Sequence, residues 1–506
     1  MNRRAIVAAV AAIALLALLT IGCGGGSETR QDTTAASLAE QAQSDMELGN
    51  LTSASDLYEQ AREAYESEDD DAGARECLDR LQDISIIELT YSVSEDDLRE
   101  QLAQAFPDVP QEEREGWIAS GGLESMEIDG APMYFYDVIS NIKFRNVGLF
   151  QQDAQMLEHY EMGYNKLLAI MDEPLGPSWQ PYTNPITYQG THTLNVPRDK
   201  LPESGLLKIW FPIPIITGPQ PSSRVTAVSP DIYVKDPPSI DEDIGVVYME
   251  VPLDDLKDDL DIIVQFEFEH YEQHFVIDPG QVGTYDTDSD LYREYTASQG
   301  NISVTPEIEE TARQVVGDET NPYLAAKKIN DYVVENITYS YVPHGVLWPR
   351  GEPESVYVHE NRHGDCGAQG MYFSALCRAV GIPARTSGGW QLFTGKFSGH
   401  FWAEFFLPNY GWVPVDPTAA EIVDYVPGLS DAQRQSFKDF FFASQDHYRC
   451  VVQKDVDVPL IPPATQPRLL TLALQQPANN CSAMEDMPDI VINEYWTIQA
   501  TVLSGQ

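Results

Sequence analysis

Positive charge is what this 506-residue sequence has least of: 31 Lys+Arg stand against 79 Asp+Glu, a formal charge of −48. A surface that acidic repels phosphate backbones and excludes a nucleic-acid partner. Cysteine is scarce too, six in all, too few for the disulfide-dense framework of a small secreted domain. No long apolar run follows residue 21, so nothing beyond it reads as a membrane-spanning helix. What is present argues for packed cores: 43% of residues are hydrophobic and 10% aromatic, over a length that suits about three or four domains.

The acid is uneven. Residues 28–130 hold six Lys/Arg against 28 Asp/Glu, whereas residues 341–420 hold five against six. The charge therefore reads as a solubility feature of the front of the chain, or as an adaptation to salt, and the later region is nearly neutral. At the N-terminus Arg3-Arg4, the apolar run Ala5–Ile21 and Gly22-Cys23 read as an export signal, with Cys23 expected to be lipidated. Thr20 stands where a lipoprotein signal usually has leucine, and the alternative is an uncleaved anchor, the run of 17 being close to a spanning length. Both readings give an extracytoplasmic, membrane-anchored protein. In that compartment Cys450 and Cys481, which bracket a proline-rich segment, are the expected disulfide. Cys377 is expected to be an inert buried thiol.

The pattern predicts a multidomain α+β chain: a signal segment over 1–23, a linker over 24–33 and a helical hairpin over 34–88. A mixed α/β region over 89–180, an antiparallel β-sandwich over 185–278, a catalytic core over 300–425 and a C-terminal extension over 426–506 follow. In the hairpin, Gly49, Ala54, Tyr58 and Ala61 have the small-residue spacing of a tetratricopeptide unit, a place for a protein partner. A single unit lacks neighbours to bury its faces, and a plain hairpin spacing the chain from the membrane is the favoured reading. In the sandwich, Ile262, Val264, Phe266 and Phe268 alternate with Ile263, Gln265, Glu267 and Glu269, the period of a strand with one wet face. Asp286-Thr-Asp-Ser-Asp290 lacks the glycine and the final acid of a calcium loop, so it reads as an ordinary loop.

Chemistry gathers around Cys366. Asp365 can cap a helix whose inner face is Met371, Ala375, Leu376, Ala379 and Val380 and whose end is marked by Gly381 and Pro383. A thiol in the first turn of that helix meets its positive dipole end, expected to lower its pKa, and the Cys366 backbone N–H is available to an oxyanion. His400 opens a strand-like run to Leu407, and Trp412–Asp416 returns as a second strand. Asp416 shares a face with His400 only if the hairpin loop has an odd number of residues, such as Pro408-Asn409-Tyr410. Cysteine, histidine and an orienting acid are the parts of an activated nucleophile.

Four motifs in order, Gly-Asp-Cys366-Gly-Ala-Gln, Leu-Cys-Arg-Ala-Val-Gly-Ile-Pro-Ala-Arg385, Gly-His400-Phe-Trp-Ala-Glu and Tyr-Gly-Trp-Val-Pro-Val-Asp416-Pro-Thr, resemble the transglutaminase-like superfamily across residues 305–420. The resemblance implies a papain-like core with Cys366 as nucleophile, His400 as base and acid, Asp416 as orienting acid and no cofactor. It also implies an upstream side chain at the oxyanion site, for which Trp348 is the nearest candidate. His359-Glu-Asn-Arg-His363 spells H-E-x-x-H, but Val356–Val358 before it reads as strand, Gly364 closes it, and no glutamate lies between 364 and 403 as a third ligand, so no metal site is expected. The expected activity is thioester-mediated hydrolysis of peptide or side-chain amides; transglutaminase cross-linking and a catalytically silent scaffold are the alternatives.

Overall fold

The computed structural model describes residues 34–171, 180–347, 350–464, 472–481, 492 and 494–504. The export segment with Cys23, and Trp348, lie outside the described residues. No helix among the described residues is long and apolar enough to cross a membrane.

The front of the chain folds as three helices, not the expected two: α1 (Ala35–Glu47), α2 (Leu51–Ser67) and α3 (Asp71–Thr90). Thr34 caps α1 through the Ser37 N–H, and Asp70 caps α3 through the Ala72 and Gly73 N–H groups. Ala54, Tyr58 and Ala61, one turn apart, are buried where the helices meet. The acidic run 66–71 is the corner between α2 and α3, and the third helix adds Cys77, Ile84 and Ile87 to the same core.

The mixed region holds β1 (Val93–Ser94), α4 (Glu95–Ala105), α5 (Gln111–Ala119), β2 (Ser125–Ile128) and β3 (Ala131–Tyr134), then α6 (Val138–Arg145), α7 (Val147–Phe150) and α8 (Ala154–Met171). The β2–β3 hairpin turns at Asp129-Gly130, where both residues have positive φ. The sandwich strands β4 (Tyr182–Val196), β5 (Leu206–Pro212), β6 (Ser222–Ser229), β7 (Val246–Pro252) and β8 (Leu260–His274) follow. In β8 the alternation is realised: Ile262, Val264, Phe266 and Phe268 are buried and Ile263 is exposed.

The core contains α9 (Asp290–Thr296), α10 (Pro306–Val316), α11 (Pro322–Asn336), β9 (Thr338–Tyr339), α12 (His344–Leu347), α13 (Glu354–Asn361), β10 (His363–Gly364) and α14 (Cys366–Ala379). After these come β11 (Ala384–Gln391), β12 (Ser398–Leu407), β13 (Gly411–Val415), α15 (Pro417–Tyr425) and α16 (Asp431–Phe440). The tail adds β14 (Ser444–Gln445), β15 (Arg449–Gln453), β16 (Ala478–Cys481) and β17 (Trp496–Ser504). α14 packs on β11 and β12, and from Gly367 to Arg378 every residue of it is buried.

The tail is built into both older layers. The core sheet runs β13-β12-β11-β15, one sandwich sheet runs β14-β8-β4-β17 with β6 on β8, and the other runs β16-β5-β7. This removes the expected disulfide. Cys450 lies on a core-sheet strand and Cys481 on a sandwich strand; both are buried in one apolar cluster, and no disulfide joins them. The strand-like Val356–Val358 is also corrected: it lies in α13, because burial of Tyr357 and Val358 in the core overrides their strand preference.

Candidate active site

Asp365 splits its two oxygens. Oδ1 accepts from the Gly367 and Ala368 N–H groups at 3.1 and 3.2 Å, capping α14, while Oδ2 meets His344 Nε2 at 2.6 Å. The cap sets Cys366 as the first residue of a long buried helix. Cys366 is half-buried and lines a cavity of about 910 Å³ together with His400, Tyr160, Tyr341, His344 and Gln475.

The hairpin has the loop that parity requires. Leu407 pairs with Gly411, leaving Pro408-Asn409-Tyr410 as three loop residues, with Asn409 at φ 77°. The register continues to Ala403 opposite Val415, so the next pair sets Trp402 against Asp416 and leaves Asp416 diagonal to His400. The His400 Nε2–H donates to Asp416 Oδ2 at 2.8 Å. Asp416 also caps α15, Oδ1 accepting from the Ala419 N–H at 2.9 Å.

Arg449 was not legible in the sequence. Its Nη1 donates to Asp416 Oδ2 at 2.6 Å, its Nε and Nη2 hold Asp446 Oδ2 at 3.0 and 2.8 Å, and its guanidinium lies 5.1 Å from the Trp402 ring centre. Burial would raise the Asp416 carboxyl, but His400 and Arg449 outweigh it and hold it far below the usual carboxylate range. Neither Arg449 nor Asp446 belongs to a motif; the only signal was a lone arginine in an apolar strand, which demands a carboxylate partner.

The expected lowering of the Cys366 thiol is corrected. Burial in the cleft pushes it up, the Asp365 charge adds to this, and the N–H groups of Phe401 and Gly367 only partly offset them, as Asp416 adds further repulsion. The helix end alone does not favour a thiolate here. A thiol, an imidazole and a buried carboxylate around one cavity can in principle form and break a thioester.

Several motif letters prove structural. Glu404 of the His-Phe-Trp-Ala-Glu motif pairs with Arg385 at 2.6 Å, with both side chains buried, and Arg385 stacks 4.0 Å over Trp412. Gln369 donates to Glu421 at 3.2 Å beneath the site, where burial pushes the Glu421 carboxyl well up. In the H-E-x-x-H stretch, α13 ends at Asn361 and Arg362 turns left-handed at φ 59°. His359 therefore faces the Tyr372 hydroxyl at 3.1 Å, while His363 sits on β10 at 3.2 Å from Arg145. Among the described residues no group of three or more His, Cys, Asp or Glu side chains is placed to hold a metal ion.

Two walls of the cavity come from outside the core. α8 brings Gln155, Met156 and Tyr160 to one side, and residues 472–478 drape across the other. Gln475 fixes that strap: its Nε2 donates to the carbonyls of His400 at 3.0 Å and Gly389 at 2.8 Å.

Residues 309–417 match the transglutaminase-like superfamily. An uncharacterized protein of Haemophilus influenzae is 30% identical over 146 residues, covering 24% of this chain and 39% of that one. The uncharacterized protein YebA of Bacillus subtilis is 26% identical over 145 residues, covering 25% and 20%. A protein-glutamine gamma-glutamyltransferase of Pseudomonas aeruginosa is 33% identical over 72 residues, covering 12% and 11%. The chain thus spans well under half the length of these curated relatives. Among solved structures, a candidate cysteine protease from Cytophaga hutchinsonii aligns at 14% identity and TM-score 0.40, over 64% of this chain and 93% of that one. The periplasmic domain of TgpA from Pseudomonas aeruginosa aligns at 14% and 0.23, over 49% and 98%. Residues 309–417, which carry Cys366, His400 and Asp416, are a transglutaminase-like domain.

Proposed function

We propose that this protein is a cysteine-dependent amide hydrolase acting outside the cytoplasm, with Cys366 as nucleophile, His400 as base and acid, and Asp416 as the group that orients His400. The observation that carries the reading is the His400–Asp416 hydrogen bond of 2.8 Å beside a cavity that Cys366 shares. His400 takes the thiol proton as the sulfur adds to the amide carbonyl, and the oxyanion forms against the Cys366 backbone N–H. His400 then gives that proton to the departing amine, the C–N bond breaks and a thioester remains. Water enters, loses a proton to His400, and releases the acid and the thiol. Held by both His400 and Arg449, Asp416 keeps the ring in the tautomer this sequence needs.

Transfer to an amine in place of water is the second reading, favoured by the likeness over 72 residues to the Pseudomonas gamma-glutamyltransferase. A peptide library incubated with and without added primary amine, and read by mass spectrometry, decides between them. Carboxylate products in both arms support hydrolysis; amine-tagged products support transfer; no product with wild type or Cys366→Ala supports a silent scaffold. The proposed lipid on Cys23, which would tether the protein to the membrane, is tested by metabolic labelling with an alkynyl fatty acid. Label that persists in Cys23→Ala contradicts it.

A further inference from the structure

His344 opens α12 and stands between two acids. Its Nδ1 lies 2.8 Å from Glu354 Oε1 and its Nε2 lies 2.6 Å from Asp365 Oδ2. Ionised carboxylates accept and do not donate, so a ring bonded to two of them carries hydrogen on both nitrogens and is an imidazolium. Glu354 is deeply buried and Asp365 nearly so, while His344 opens onto the cavity that holds Cys366. Asp365 immediately precedes the nucleophile, and its charge opposes formation of a thiolate there.

Resting on the reading of Cys366 as nucleophile, we propose that His344 is a positioning residue that acts through Asp365: its cation holds the helix-capping carboxylate and cancels that carboxylate's repulsion of the Cys366 thiolate. A second histidine–carboxylate pair thus serves the same sulfur without touching it. The electrostatics agree. Burial alone would lower His344, but Asp365 and Glu354 raise it well above its usual value. Burial raises Asp365, yet His344 and the N–H groups of Ala368 and Val342 bring it below the ordinary carboxylate range. Burial lifts Glu354, and the His344 cation opposes that rise. The other ionisable groups near this assembly include Tyr136 and Asp137 ahead of α6, Glu158, His159 and Tyr160 of α8, Tyr339 and Tyr341, His400 and Asp416 toward the sulfur, and Glu352, Tyr357 and Asp457 toward Glu354. Among the described residues neither Lys nor Arg lines the cavity, and His344 is the charged group its two acids face.

The test is the pH dependence of iodoacetamide alkylation of Cys366 in the full chain, followed by peptide mass mapping; the sulfur displaces iodide, so the rate tracks thiolate. His344→Gln is expected to move the midpoint up by about one pH unit, roughly a tenfold slower reaction below it. Asp365→Asn, which keeps the helix cap, is expected to move the midpoint down, and the double variant to return near wild type. His344→Lys, which keeps a cation, is expected to restore part of the shift. Equal midpoints in wild type, His344→Gln and Asp365→Asn, with rates merely scaled, would overturn the proposal. If His344→Gln does not fold, Asp365→Asn decides alone: a lowered midpoint supports the proposal and an unchanged one overturns it. Absence of preferential labelling at Cys366 in wild type would instead sink the nucleophile reading, a separate outcome.

Discussion

Two histidine–carboxylate pairs flank one cysteine, and what stands behind each pair differs. Behind Asp416 is a cation, Arg449, so the carboxylate is divided between an imidazole and a guanidinium. Behind His344 is a second acid, Glu354, so the ring is divided between two carboxyl groups. A carboxylate already neutralised by a guanidinium grips an imidazolium less tightly than two carboxylates do. On the proposed reading the first ring carries a proton to and from substrate, and the second holds a charge beside Asp365. The same side chain is thus given two tasks by its neighbours.

The comparison breaks first at its most sensitive point. His400→Ala is expected to lower turnover on the order of 10⁴-fold, against about tenfold for His344→Gln, once a hydrolysed peptide is in hand. Comparable losses in the two variants would erase the distinction. Asp416→Asn should cost on the order of 10²-fold or more, with kcat falling and KM little changed, because it disturbs the ring's tautomer rather than binding.

Stability sharpens the difference next. Arg449→Met leaves Asp416 and Asp446 buried without their cation, and about 3–5 kcal/mol of stability should go with it, read by denaturant unfolding. His344→Gln lies at a cavity wall and should cost markedly less. The smallest effect is in pH. The depressed Asp416 carboxyl contributes stability that is present above the unfolded value near about 4 and lost as pH falls through its folded value. The raised His344 contributes stability that is full below about 6.5 and lost as pH rises through its folded value. Wild type minus His344→Gln, followed by melting temperature from pH 6 upward, should therefore shrink on the alkaline side.

What the sequence could show was local or periodic. Asp365 as a cap is visible because capping links residues two or three apart, and the place of Asp416 follows from strand parity and a three-residue loop. Contacts without a period were invisible. Arg449 reaches Asp416 across 33 residues and His344 reaches Asp365 across 21, with no pattern tying either pair. The tail read as an extension because β16 is short and β17 exposed, with partners about 270 and about 300 residues earlier, and strand pairing over such spans leaves no trace in composition. The same gap produced the disulfide expectation: cysteine spacing ignored that two sheets would claim Cys450 and Cys481 separately. The helix-dipole argument for a thiolate failed for a related reason, since the opposing burial and the Asp365 charge come from packing around the helix end.

The central claim is that Cys366 forms a thioester with His400 as its proton carrier, and it can be tested without knowing the natural substrate. The full chain would be mixed with p-nitrophenyl acetate, following release of p-nitrophenol and the intact mass of the protein. The account predicts a burst equal to the protein concentration, with a hydroxylamine-sensitive acetyl group on Cys366, absent in Cys366→Ala and much slower in His400→Ala. A burst that survives Cys366→Ala, or a wild-type protein that shows none, would contradict it.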